Sequence, residues 1–186
     1  MKHNAIKINN FNVSNDLPFF LIAGPCSIES KDHAIDHAGK INEICKQLNL
    51  NFVYKSSFDK ANRSSSLSSR GVGIDQGLNI LSDVKKTFNI PLITDVHESY
   101  QCKDVANVVD IIQIPAFLCR QTDLLYAAAE TNKIIMTKKL INRRQAVIKV
   151  LLKARIKVRC AIWPTFDLLK KADKYITIRQ TYFSVN

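Results

Sequence analysis

Short apolar runs that suit β-strands alternate with longer amphipathic segments that suit helices, and this alternation constrains the fold more than any other feature. Ahead of the alternation, two short segments flank Asn9-Asn10 and predict a hairpin. Strands that alternate with helices predict a parallel α/β sheet with right-handed crossovers. The predicted strands of this sheet are residues 19–23, 51–55, 91–95, 109–113 and 133–137.

The segments between these strands carry apolar residues at helical spacing. Ser30 is a suitable N-cap for the first helix, and Thr122 is predicted to cap the last. The apolar stripe that the first helix is predicted to bury is Ala34, Ile35, Ala38, Ile41, Ile44, Cys45 and Leu48. Two architectures satisfy the whole pattern, an open doubly wound sheet and an incomplete (β/α)₈ barrel.

Polar or reactive residues follow successive predicted strands, where both architectures place their ligands. These residues are Cys26, Lys55, Asp95, Gln113 and Lys138. The pattern predicts a binding site at this edge of the sheet. The alternative is that strand ends are polar only because loops begin there.

The segment after the second strand is rich in groups that bind anions. Lys55, Lys60 and Arg63 occur within nine residues, among serines and an asparagine. Lysine supplies a point charge and arginine a planar fork for phosphate or carboxylate oxygens, and the neutral side chains add hydrogen bonds. The composition predicts a site for a small phosphorylated substrate, with a solvated basic loop as the alternative.

Five cysteines without a Cys-x-x-Cys pair argue against both a disulfide framework and a structural zinc finger. Cys26 follows the first strand, where a thiolate can act as a nucleophile or a metal ligand. The alternative is a buried thiol. Asp95 and His97 bring acid and base groups to the end of the third strand, although His97 can equally be a residue at the entry to a helix.

Three stretches, residues 55–65, 93–98 and 113–123, resemble the signatures of the 3-deoxy-D-manno-octulosonate 8-phosphate synthase family, also called the 2-dehydro-3-deoxyphosphooctonate aldolases. The likeness extends from about residue 6 to residue 139. It implies an α/β fold, a (β/α)₈ TIM barrel with an amino-terminal hairpin cap. Residues 1–139 would form its first five βα units, so that the barrel is incomplete.

The resemblance also implies an activity, which is the condensation of phosphoenolpyruvate with D-arabinose 5-phosphate. In this family C3 of phosphoenolpyruvate bonds to the aldehyde carbon, water adds at C2, and phosphate leaves by C–O cleavage. The product is 3-deoxy-D-manno-octulosonate 8-phosphate, a precursor of the lipopolysaccharide sugar Kdo. The resemblance implies a transferase that assembles as a homotetramer, and the polar amino terminus, which lacks the apolar region of a secretory signal, predicts a cytoplasmic protein.

By position in the motifs, the resemblance assigns roles to individual residues. The catalytic residues that it implies are Lys55, Lys60, Asp95 and Lys138, of which the lysines would bind phosphoenolpyruvate. The substrate-binding residues that it implies are Asn62, Arg63, Ser64, Gln113, Ala116, Phe117 and Arg120. Arg120 would reach the phosphate of arabinose 5-phosphate from a neighbouring subunit.

Cys26 corresponds to a metal ligand in the metal-dependent members, so the resemblance implies a divalent ion such as Mn, Zn or Fe. The family completes this site with His, Glu and Asp residues from later strands. This chain has no histidine after His97 and no glutamate after Glu130. Because a catalytic ion needs three or more protein ligands, the sequence does not account for a complete site.

Charge divides the chain near residue 130. Residues 1–130 hold 13 Lys and Arg against 14 Asp and Glu, whereas residues 131–186 hold 14 against two. No glycine follows Gly77. The sequence therefore predicts a synthase domain over residues 1–139 and a basic tail of unrelated composition over residues 140–186, out of frame or poorly ordered. We expect catalysis in such a truncated chain to be impaired or absent.

Three other interpretations remain open. The related 3-deoxy-heptulosonate 7-phosphate synthases use erythrose 4-phosphate and share the metal chemistry. The basic tail could make the chain a nucleic-acid-binding module, although no recognised motif frames its charges. The chain could also be an inactive fragment. A membrane protein is not expected, because no apolar run approaches the roughly 20 residues that a span requires.

Overall fold

The computed structural model describes residues 5–14, 16–61 and 70–138 and the strand Val158–Ala161. The chain begins with an antiparallel hairpin of β1 (Ile6–Ile8) and β2 (Phe11–Val13). Asn9 lies in its turn with φ of 48°, a left-handed conformation that asparagine tolerates better than most residues. The predicted hairpin is confirmed.

A six-stranded sheet follows, in which every hydrogen-bonded pair of strands is parallel. Its strands are β3 (Leu21–Ala23), β4 (Phe52–Lys55), β5 (Leu92–Asp95), β6 (Ile111–Ile114), β7 (Ile134–Lys138) and β8 (Val158–Ala161). Each strand lies beside the next one in the chain. A doubly wound sheet reverses its strand order at a switch point, whereas a barrel winds in one direction, so the observed order is that of a barrel.

Helices connect the successive strands from β3 to β7. They are α1 (Lys31–Gln47), α2 (Ile74–Phe88), α3 (Gln101–Val108) and α4 (Thr122–Glu130), with a 3₁₀ turn at Ala116–Leu118. The Ser30 side chain accepts a hydrogen bond from the His33 amide, which confirms Ser30 as the cap of α1. Among the described residues, no helix combines the length and apolar character needed to cross a bilayer.

Three local predictions are wrong. Gln121 is the N-cap of α4 and Thr122 is its first residue. The first strand of the sheet begins at Leu21 rather than at residue 19, and Phe19 is exposed. Ile44 and Leu48 are exposed because α1 buries a narrow line of residues that includes Cys45, and its other members are Ala34, Ala38 and Asn42.

Alternate residues of the strands contribute to two apolar clusters. One cluster lies between the strands and the helices and contains Tyr54, Leu92 and Ile112. The other contains one residue from each of five successive strands, together with side chains of the hairpin and Phe20. The members from the strands are Ile22, Val53, Ile93, Ile111 and Met136, and those from the hairpin are Ile8 and Val13. The hairpin therefore covers the inner face of the sheet.

β8 is a strand that the sequence does not predict, and it pairs with β7 from Ile135↔Val158 to Lys138↔Ala161. It falls within residues 140–186, which the sequence assigns to an unrelated tail. The other residues of that segment lie outside the described part of the chain, so the proposed domain boundary at residue 139 stays a prediction.

Candidate active site

The inner face of the sheet changes from apolar to polar along each strand. Lys55, Asp95 and Gln113 each stand two residues after a member of the inner apolar cluster and therefore point to the same face. All three are buried, at 5%, 6% and 1% exposure. Asp95 pairs in register with Gln113, whereas Lys55 is in register with Ile93, and the long Lys55 side chain extends to the Asp95 carboxylate.

Lys55 and Asp95 form an ion pair across 40 residues of sequence. The Lys55 Nζ lies 3.4 Å from Asp95 Oδ1 and donates to Ser57 Oγ at 2.5 Å. Lys60 Nζ donates to the same hydroxyl at 3.0 Å. The Nε2 of His97 lies 3.4 Å from Asp95 Oδ2. We refer to these five residues as the Lys55 cluster.

Asp95 stays ionised in this cluster. Burial by itself would raise the pKa of its carboxyl, but the charge of Lys55 and the hydrogen bonds from His97 and Ser57, with a further contribution from the charge of Lys60, hold the pKa well below its ordinary value. The cluster thus contains two lysines against one carboxylate. Its surplus of positive charge suits the binding of an anion at the ends of the strands.

The loop after β3 is held against the start of the segment that follows β4. Gly24 has φ of 154°, and a Cβ at this position would collide with the Lys55 carbonyl. The Ile28 amide donates to the Ser57 carbonyl at 2.9 Å, and Ser27 and Ser57 form a parallel bridge. Cys26 therefore lies next to a residue that contacts the Lys55 cluster through its backbone, and it is exposed.

The described residues do not fit a divalent metal site. Within that part of the chain, no three His, Cys, Asp or Glu side chains are grouped closely enough to hold an ion. Cys26 alone provides one ligand, fewer than a catalytic ion needs. The metal site at Cys26 stays a prediction.

The loop after β5 is fixed by a buried glutamine that the sequence does not single out. Gln101 Oε1 accepts from the His97 amide at 2.8 Å and from the Glu98 amide at 3.2 Å. The rings of His97 and Phe58 pack in a T-shaped arrangement, with their centroids 6.3 Å apart. Its Nδ1 is buried and has no hydrogen-bond partner among the described residues. A histidine two residues after a buried strand-end aspartate is the only sequence signal for this contact.

The ends of the segment from residue 62 to residue 69 are tied together. Arg70 Nη2 donates to Asp59 Oδ2 at 2.6 Å, and the Lys60 amide donates to the Arg70 carbonyl. The hydrogen bond from Arg70 lowers the pKa of Asp59. Three predicted substrate-binding residues, Asn62, Arg63 and Ser64, lie outside the described residues but between these two ends.

The segment after β6 holds the remaining predicted residues. Gln113 Oε1 is buried and has no hydrogen-bond partner among the described residues, so it has an unused acceptor on the inner face. Ala116 is half-buried, while Arg120 is exposed and Phe117 is 76% exposed. Lys138 is the last residue of β7, and its side chain is not among those described. The structure therefore brings together Lys55, Lys60, Asp95 and Gln113, while Phe117 and Arg120 are exposed in the segment after β6.

Comparison with protein families identifies the barrel. The model of the DAHP synthetase I family matches residues 4–160. The chain belongs to this family. Its fold is a TIM barrel, so the six described parallel strands and the hairpin are part of such a barrel, as the resemblance in the sequence predicts.

The chain is also similar to curated proteins of this family that are named 2-dehydro-3-deoxyphosphooctonate aldolase. It is 60% identical over 135 residues to the protein from Rickettsia typhi, a match that covers 73% of this chain and 49% of that protein. The proteins from Rickettsia conorii and Rickettsia prowazekii are 59% and 60% identical over 135 residues, with the same coverage of each chain. The chain spans about half the length of these relatives. The predicted likeness to aldolases of this name is confirmed.

Proposed function

We propose that this chain of the DAHP synthetase I family binds phosphoenolpyruvate at the Lys55 cluster and contributes the amino-terminal half of a 2-dehydro-3-deoxyphosphooctonate aldolase site. The observation that carries the proposal is the arrangement of a buried lysine, Lys55, and a half-buried one, Lys60, around one hydroxyl and one ionised carboxylate at the strand ends. The name shared by the relatives at about 60% identity supports the choice of reaction.

In the proposed complex, Lys55 and Lys60 donate hydrogen bonds to the anionic groups of phosphoenolpyruvate. Asp95 pairs with the Lys55 ammonium and orients it toward the site. Gln113 Oε1 accepts a hydrogen bond from a hydroxyl of the second substrate or from the attacking water. The lysine charges also stabilise the phosphate that leaves when its C–O bond breaks.

The second substrate of the proposed reaction is D-arabinose 5-phosphate. Asn62, Arg63 and Ser64 would bind it from the segment that begins beside Lys60, and Arg120 would contact its phosphate from a second subunit. Bond formation between C3 of phosphoenolpyruvate and the aldehyde carbon then requires both substrates in one site. Lys138 would join the two lysines of the cluster from the carboxyl end of β7.

Titration calorimetry of the full chain with phosphoenolpyruvate tests the proposal. Lys60→Met is the informative variant, because Lys55→Met would also leave Asp95 buried without its cation. We expect Lys60→Met to weaken binding about tenfold or more, the effect of one hydrogen bond to a charged group. Lys103→Met, which removes an exposed lysine on α3, is the matched control. Equal affinities for the wild-type chain and Lys60→Met would contradict the proposal.

The choice of aldehyde separates the two synthases of the family. We expect phosphate release from phosphoenolpyruvate to depend on arabinose 5-phosphate rather than erythrose 4-phosphate, since the named relatives are octulosonate enzymes. Phosphate release that occurs with erythrose 4-phosphate but not with arabinose 5-phosphate would favour the heptulosonate synthase. Binding of phosphoenolpyruvate without release by either aldehyde would limit the function of this chain to binding.

A further inference from the structure

The hydroxyl of Ser57 is the point at which the two lysines of the Lys55 cluster meet. Ser57 is fully buried, and its Oγ accepts from Lys55 Nζ at 2.5 Å and from Lys60 Nζ at 3.0 Å. A hydroxyl has two acceptor lone pairs and one proton. Both lone pairs are therefore occupied by ammonium groups, and the shared hydroxyl links the two lysines of the cluster.

The backbone of Ser57 holds this hydroxyl in place from both sides. The Ser57 carbonyl accepts a hydrogen bond from the Ile28 amide, and Ser57 forms a parallel β-bridge with Ser27. Thr94 Oγ1 donates to the carbonyl of the preceding residue, Ser56, at 2.8 Å. Ser57 therefore projects from a segment that is tied to the loop after β3 and to β5.

We propose that Ser57 is a positioning residue that holds the ammonium groups of Lys55 and Lys60 at one separation before any ligand binds. Two like charges that share one oxygen repel each other, and the fixed hydroxyl and the Asp95 carboxylate offset that repulsion. Binding of an anion between prearranged cations avoids the cost of ordering them. The choice of phosphoenolpyruvate as the ligand rests on the proposed function, whereas the arrangement of the two lysines around Ser57 does not depend on it.

The two lysines depend on Ser57 to different degrees. Lys55 is buried and keeps Asp95 as a partner when the hydroxyl is removed. Lys60 is only half-buried, so its flexible side chain can turn toward water. Loss of the Ser57 hydroxyl should therefore release Lys60 while Lys55 remains in the cluster.

Ser56 offers a matched control. It is adjacent, equally buried and also a serine, but its hydroxyl donates to the Pro25 carbonyl at 3.0 Å, away from both lysines. Ser56→Ala and Ser57→Ala thus remove the same atom from neighbouring buried positions. Ser57→Cys, which nearly preserves volume but accepts hydrogen bonds weakly, replaces Ser57→Ala if the alanine variant does not fold.

The first measurement needs no ligand. Ammonium groups held by hydrogen bonds exchange their protons slowly, so the ¹⁵N-labelled full chain should show signals from Lys55 and Lys60 in a lysine-selective NMR spectrum. We expect Ser57→Ala to abolish the Lys60 signal and shift that of Lys55, and Ser56→Ala to leave both in place. Spectra of the two variants that match each other would overturn the proposal.

The second measurement is titration of the same chains with phosphoenolpyruvate. We expect Ser57→Ala or Ser57→Cys to weaken binding about tenfold, and Ser56→Ala to change it less than about twofold. Wild-type affinity in the Ser57 variants would overturn the positioning role. If the wild-type chain does not bind phosphoenolpyruvate, the proposed function fails, whereas the ammonium spectra still decide the role of Ser57.

Discussion

The two ends of the inner sheet face are built on the same strands but differ in chemistry. Toward the amino end, Val53, Ile93 and Ile111 pack beneath the hairpin in an apolar cluster. Two residues further along, the same strands present Lys55, Asp95 and Gln113, also buried. The first layer gains stability from the removal of apolar surface from water. The second layer bears the cost of buried charge and, as far as the described residues go, has an acceptor without a partner.

Along each of these three strands, a change from an apolar to a polar residue separates the layer that stabilises the fold from the layer proposed to bind the ligand. Polar groups that are buried without full hydrogen bonding oppose folding, and they are retained where a ligand completes their bonds. Within the part of the chain that the structure describes, Gln113 Oε1 is such a group. We therefore expect substitutions in the apolar layer to change stability alone, and substitutions in the polar layer to change both stability and binding.

The largest effect is expected for Asp95→Asn. This change leaves the Lys55 ammonium buried without a carboxylate, which costs about 3–5 kcal/mol of unfolding free energy. Urea denaturation of the full chain measures it. The double variant Lys55→Met/Asp95→Leu should recover much of the loss, because it removes both charges. A double variant that is less stable than Asp95→Asn would show that the pair is itself stabilising.

Ile93→Ala tests the apolar layer on the same strand. The side chain is fully buried beneath the hairpin, so its truncation should cost about 3 kcal/mol. Because Ile93 packs in the apolar cluster under the hairpin and lies two residues before Asp95, the affinity of the folded variant for phosphoenolpyruvate should be unchanged. Calorimetry at a temperature where the variant is folded checks this. Weaker binding would show that the two layers are not independent.

The third effect is a pH dependence of the unfolding free energy, and it is a fraction of the loss expected for Asp95→Asn. Because the folded-state pKa of Asp95 is lowered, its stabilising contribution is fully present above the unfolded-state value of about 3.9 and is lost as the pH falls toward the folded-state value. The difference in stability between wild type and Asp95→Asn should therefore shrink below about pH 4. A difference that stays constant down to the acid transition would contradict this assignment.

The smallest effect is expected at a second ion pair, which lies at the amino ends of the strands, whereas Lys55 and Asp95 lie at the carboxyl ends. Lys85 Nζ is 2.9 Å from Asp110 Oδ1, and both side chains are partly exposed. Asp110→Asn should cost only about 1 kcal/mol, because solvent screens the pair and the amide oxygen can still accept from the Leu92 backbone amide. Thermal denaturation measures this change. A loss as large as that of Asp95→Asn would mean that burial does not separate the two pairs.

Much of the site could be located from the sequence because strand ends are local features. A polar residue after an apolar run marks the edge of the sheet, and this placed Lys55, Asp95 and Gln113 on one edge before their contacts were known. Ser57 and Gln101 could not be recognised in this way. Their importance depends on partners elsewhere in the fold, such as the Lys55 ammonium and the His97 amide, which no spacing in the sequence reveals.

The sequence by itself determined the alternation of strands and helices, the hairpin around Asn9 and the cap at Ser30, because these follow from periodicity and from hydrogen bonds between near neighbours. Resemblance of the motifs added the family, and the comparisons confirm it. The residues alone left a doubly wound sheet and a barrel equally open. Only the tertiary structure decided the one-directional strand order and the burial of Lys55 against Asp95, because both depend on contacts between strands far apart in the chain.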